Sequence, residues 1–196
     1  MKRIFVVLSL IAILTSGCGS ATKTTITTSD NKTSVVTEVV SKSEGKQFAD
    51  DTLDSFVRSV SSTVDTTWQF NVSEPLDNYK AGSATKESVL DDLQLAADMF
   101  ELKAKEIEKF VVPSDIKFND SEPRNKYVID TLNTLKEDLS KAVRSRGEVA
   151  KQYIKKIKAG MFASMTQEEM DNLLIMPNSF LQIAMIDYKA VLENIE

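Results

Sequence analysis

Apolar residues recur at helical spacing through most of the chain. The clearest run is Leu90, Leu93, Ala97, Phe100, Ala104, Ile107 and Val111. Its steps of three and four place every member on one face of a helix. Leu53, Phe56, Val57, Val60, Val64 and Trp68 form a similar stripe on a first helix of about residues 44 to 70. This segment is rich in Ser, Thr and Val, whose helix propensity is weak, so its stability has to come from packing. Val128, Leu132, Leu135, Leu139 and Ala142 open a long third helix that continues, after a shift of phase, through Val149, Ala150, Tyr153 and Ile157. A fourth starts at the capping-box pattern Thr166 to Glu169 and runs through Met170, Leu173, Leu174, Leu181, Ala184, Tyr188, Val191 and Ile195.

Helix breakers fall between these stripes. Asn71 to Thr85 holds Pro75 and Gly82, Val112 to Glu122 holds Pro113, and Gly160 ends the third helix. Ser73-Glu74-Pro75 and Ser121-Glu122-Pro123 both have the form of helix starts, with Ser as cap and Pro in the first turn. Short to moderate connections favour antiparallel neighbours, so the expected fold is all-α: an up-down bundle of about four helices over residues 44–196.

The N-terminal region follows different rules. Lys2 and Arg3 precede an apolar run from Ile4 to Leu14, and Thr15, Ser16, Gly17 and Cys18 follow. That run is too short to span a bilayer and suits the apolar region of a signal peptide. The small residues leading into Cys18 resemble the lipobox of bacterial lipoproteins, departing from its commonest form at Thr15, where leucine is usual. The resemblance covers residues 1–18 only. It implies cleavage after residue 17, diacylation of Cys18, and anchoring at the extracytoplasmic face of a cell membrane, or of an outer membrane in a Gram-negative source. Two acyl chains make a stable anchor, because each buried methylene contributes about 0.8 kcal/mol and one chain alone is marginal.

Between anchor and helices, twelve of the 25 residues from Gly19 to Ser43 are Ser or Thr, and none is aromatic. Such a stretch buries too little apolar area to offset its ordering entropy, so residues 18–43 read as a flexible tether. Val35, Val36, Val39 and Val40 give its inner part, Ser34 to Val40, a second reading as a short strand or a segment docked on the bundle.

Composition narrows the chemistry. With 196 residues and 42% apolar content the chain suits one sizeable core. It contains no histidine, which removes imidazole as general base, metal ligand or pH switch. Cys18 is the only cysteine, so no intramolecular disulfide forms, and lipidation accounts for it. Loss of Lys2 and Arg3 with the signal leaves 22 bases against 29 acids, a balance that argues against generic nucleic-acid binding. Ser-x-x-Lys occurs at Ser29/Lys32, Ser83/Lys86 and Ser114/Lys117 without the other β-lactamase motifs, and no Gly-rich phosphate loop or calcium loop is present. The expectation is a chain without catalytic residues, metal or cofactor.

Three local features remain. Lys141, Arg144, Lys151, Lys155 and Lys158 share one helix face, readable as a contact for an anionic surface or an acidic partner. The alternative is a solvated face neutralised by the acids of the second helix, among them Asp98, Glu101 and Glu108. Arg146 falls where the third helix wants an apolar side chain, and Gly147 follows it. Either the helix changes phase there and Arg146 snorkels or pairs with a neighbouring acid, or Arg146 marks an anion or ligand site between helices, forking onto a carboxylate. Pro177 interrupts the fourth helix, implying a kink and, in a functional version, a groove widened beside Phe180 and lined by Met176 and Met185, for a small apolar ligand or a partner helix; the alternative is a merely kinked core helix. The function expected from all this is a membrane-anchored, non-enzymatic interaction module of the cell envelope. Its expected partner is another envelope or extracellular protein, or the membrane surface; the alternative is a lipoprotein that binds a small ligand inside the bundle.

Overall fold

Helical stripes dictate a bundle, and the computed structural model is one. It describes residues 20–29, 32–41 and 43–196, with side chains from residue 43 onward. Cys18 and the signal segment lie outside the described residues. The chain divides between Lys42 and Ser43 into two units.

In the first unit, β1 (Ser20–Ser29) pairs antiparallel with β2 (Lys32–Ser41), in register from Ser20 opposite Ser41 to Ser29 opposite Lys32. Threonine and valine dominate both strands, and β-branched side chains suit a pleated backbone. β2 takes in the valines of Ser34 to Val40. A lone two-stranded hairpin is marginal in water, so this ladder is compatible with a tether.

The second unit is a four-helix, up-down bundle. Its first limb is a continuous rod built from α1 (Glu44–Phe48), a π turn at Ala49–Leu53, α2 (Asp54–Trp68), a π turn at Gln69–Ser73, and α3 (Glu74–Lys80). Then come α4 (Lys86–Glu108), α5 (Glu122–Lys158) and α6 (Gln167–Asn194). Direction follows from the contacts. Asp54–Tyr188 and Lys80–Met170 link the first limb to α6 in reverse order, and α5 meets α6 through Lys141–Phe180 and Arg146–Asn178, also reversed.

The first limb runs ten residues past the end expected from its stripe. Pro75 does not break the helix and Ser73 does not cap one: Ser73 is itself helical and makes no capping bond. The π turn before it places Pro75 in the first turn of α3, where a missing N–H and a fixed φ cost least. The turn also re-phases the stripe, so Val72 and Leu76 stay buried after Val64. Val111 is a second correction: α4 ends at Glu108 and Val111 is 77% exposed. The other limits hold. Thr166 and Glu169 complete a capping box. Gly160, at φ 71°, closes α5 with bonds from Met161 N to Lys156 O and from Gly160 N to Ile157 O, a Schellman pattern.

Both chain ends of the bundle and the α4–α5 loop meet at one pole. Phe48 packs edge-on to Phe118 at 5.5 Å, and Phe56 stacks on Phe110 at 4.0 Å. Asn119 donates to the Asn194 carbonyl, Glu196 N–H donates to the Phe118 carbonyl, and the Ser43 hydroxyl donates to the Glu196 carbonyl. Gly45 permits this closure: a Cβ there would lie 2.9 Å from the Phe118 Cα, a backbone atom with nowhere to go. Gly45→Ala should therefore lower stability by about 1–3 kcal/mol in urea unfolding, although alanine is the better helix former. An unchanged midpoint would show that the loop yields freely.

Candidate functional site

The basic row of α5 is mostly spent on neighbours. Lys141 reaches Glu137 and Asp138 and sits 6.0 Å over the Phe180 ring; the Asp138 hydrogen bond and charge raise its pKa. Arg144 pairs with Glu108 of α4 at 2.6 Å. Lys151 meets Glu148 at 2.7 Å, and its pKa is raised by that bond, with the charges of Glu101 and Asp98 on α4 adding to it. Only Lys155 and Lys158 have no ion-pair partner among the described residues. They end α5, where positive charge complements the helix dipole. This matches the solvated-face alternative better than an open anionic-surface contact.

Arg146 lies between three limbs. Its guanidinium sits 4.9 Å over the Trp68 ring of α2 and donates to Asn178 Oδ1 of α6 at 3.0 Å. Burial pushes its pKa down, opposed by the charge of Asp65. Gly147 beside it is buried, and a Cβ there would stand 3.3 Å from the Phe100 Cβ, so this glycine sets how closely α5 and α4 approach. The phase change expected at this point is thus an aromatic stack on one side and a close helix contact on the other.

The groove expected beside Phe180 is found in part: an open groove runs along α6 with Met185 in its wall, and Met176, Pro177 and Phe180 are not among its lining residues. Pro177 is buried, Met176 is turned outward, and Phe180 lies under Lys141. The nearby cavity between the first limb, α5 and α6 involves Trp68, Leu76, Tyr153, Met170, Asp171 and Leu174 and holds about 100 Å³. Burial and the charge of Asp171 push the Tyr153 phenol up to about 12. Ligand sites run to roughly 300–1,000 Å³, so this space suits ordered water.

The exposed apolar face of α6 is wider than the groove at Met176 and Met185 that the sequence suggests. Between Asp171 and Asp187, α6 has fifteen consecutive residues without a charge. Only part of that apolar content faces the core. Ile175 (60% exposed), Met176 (63%), Ile183 (45%) and Ile186 (64%) face outward, and an open groove of about 430 Å³ beside them is walled by Leu181, Gln182, Met185, Ile186 and Lys189. A helix apolar on all sides is normally covered on all sides. The outer face of α4 differs: exposed Leu95, Met99 and Leu102 sit among Asp91, Asp98, Lys105 and Glu106.

One acidic contact is strained electrostatically. Asp187 has an oxygen that is buried without a hydrogen-bond partner, and desolvation followed by the charge of Asp138 raises its pKa. Among the described residues, no group of His, Cys, Asp and Glu is arranged to hold a metal ion. No helix of the described residues is long and apolar enough to cross a membrane.

No family model matches this chain, and no curated protein or solved structure is similar to it.

Because the folded state favours protonated Asp187, this residue's contribution to stability falls as pH rises through its raised pKa. Asp187→Asn should therefore raise the melting temperature at pH 7 by about 2 °C, with the gain shrinking towards acid pH. A gain constant with pH would assign the effect to something other than this carboxyl.

Proposed function

We propose that the chain is a membrane-anchored, extracytoplasmic lipoprotein that acts by contact, as a non-enzymatic interaction module of the cell envelope. The observation that carries the contact role is the charge-free run of α6, with four large apolar side chains left in solvent. Contiguous exposed apolar patches on soluble domains mark interaction sites more often than they mark nothing. The anchor rests on the apolar run, the small residues before Cys18 and the absence of any other cysteine. The Ser/Thr-rich segment after it is long enough for the bundle either to stand off the headgroups or to lie on them.

The small-ligand alternative has less support. Among the described residues, the space between the first limb, α5 and α6 is about 100 Å³, and the wider grooves lie more open on the surface. The basic row, as a contact for anionic lipid, also loses ground to its pairing with Glu108, Glu137, Asp138 and Glu148.

Cys18→Ser should abolish labelling of the protein by a radioactive fatty acid and leave the larger, uncleaved precursor in place of the mature form. Retention of the mature form in the detergent phase would sink the anchor.

A further inference from the structure

Cys18 and Ser43 are 25 residues apart in sequence, yet the ladder between them brings the chain back to where it set out. β1 and β2 pair over their whole length, with Ser20 opposite Ser41 at the open end and Asp30 and Asn31 joining Ser29 to Lys32. Opposite positions of an antiparallel pair stand about 5 Å apart. Cys18 precedes that open end by two residues, and Ser43 follows it by two. At about 3.8 Å for each step, Cys18 and Ser43 are then held within about 20 Å of each other. The same residues as an open coil average about 25–30 Å and reach about 85 Å at full stretch.

Three features of the sequence favour the ladder over a coil. Twelve of the 22 residues from Ser20 to Ser41 are Thr, Val or Ile, and none is Gly or Pro, the residues of flexible and extended linkers. Asp and Asn, the types at positions 30 and 31, suit a two-residue hairpin connection. The register also sets Glu38, the one acid of the two strands, opposite Lys23, and opposite charges at facing positions stabilise a strand pair.

We propose that the β1–β2 hairpin is a retractor for the lipid anchor: paired, it keeps the first residue of the bundle close to the membrane surface, and unpaired, it releases chain so that the bundle works at a distance. The proposal rests on the lipidated Cys18 of the proposed function and supplies the device that selects between lying on the headgroups and standing off them. A lone two-stranded hairpin is marginal in water, so a partner that engages the bundle and draws it outward is enough to open the ladder. The helices need not change, because the ladder lies entirely within the first unit.

The test uses the full chain in the membranes of cells that express it, where acylation leaves no thiol at Cys18. Thr24→Cys with Thr37→Cys places two thiols opposite each other in the ladder, whereas Thr24→Cys with Thr33→Cys places them four positions out of register. Under mild oxidation the first pair should close a disulfide about tenfold faster than the second, since only the first meets the Cα separation the bond requires. A coil would close the second pair at least as readily, because its loop is shorter. That result, with Cys18 blocked, overturns the retractor and leaves the anchor standing. Reach is read from a donor dye on Lys46→Cys, an exposed position, with the purified lipidated chain in phosphatidylcholine vesicles that carry acceptor-labelled headgroups. Adding Val35→Ser, Val36→Ser, Val39→Ser and Val40→Ser weakens the ladder at constant tether length and should lower energy transfer by about half. Transfer that stays the same or rises overturns the retractor. A parent protein whose Cys18 takes up maleimide overturns the anchor, and the retractor with it.

Discussion

Everything in the bundle depends on α5 burying apolar surface on a broad arc that both α4 and α6 share. Val128, Leu132, Leu135 and Leu139 begin that arc, and Tyr153 and Ile157 end it. At roughly 1.5–3 kcal/mol for each fully buried large side chain, this is the dominant favourable term available to the body. It works only if the neighbours come close. Gly147 against Phe100 sets that distance on the α4 side. On the other side the stack of Arg146 on Trp68 fills the space where the stripe changes phase. A cation over an aromatic ring, partly desolvated, costs less there than a void or an unpaired charge would.

Electrostatics then divides the surface into two kinds. The outward face of α5 is dense in charge and mostly paired, to α4 through Arg144–Glu108 and within α5 through Lys141–Asp138 and Lys151–Glu148. Exposed pairs of this kind contribute little to stability, but they keep a face hydrated and without attraction for other surfaces. The middle of α6 has neither charge nor cover. Water there meets isoleucine and methionine, so this face has the most to gain from a partner.

Legibility followed the range of the interactions. The four stripes, the capping box at Thr166 and the glycine closure at Gly160 depend on residues within a turn or two, and each stood in the pattern. Pro75 misled because its cost depends on what the preceding turn does, and a π turn at Gln69–Ser73 absorbs it. Val111 continued the arithmetic of its stripe but not the helix, since the chain turns at Lys109 to bring Phe110 and Phe118 under Phe48. The exposed apolar residues of α6, such as Ile175 and Ile186, do not stand apart from the core-facing ones in the sequence, because both kinds fall at helical spacing. A tally of charges along residues 172–186 would have hinted that one helix held more apolar surface than a single core-facing stripe requires.

The amino-acid sequence alone determined the lipobox resemblance at Cys18, the Ser/Thr-rich segment after it and the all-helical class of the body. It also excluded histidine chemistry and disulfides, because each of these follows from residue type and local spacing. Tertiary structure decided which limbs touch, and with that which charges are spent and which apolar side chains stay in water. Those outcomes depend on the rotation of each helix about its axis relative to its neighbours, a quantity settled by close contacts such as Gly45 with Phe118 and Gly147 with Phe100, which join residues far apart in the chain.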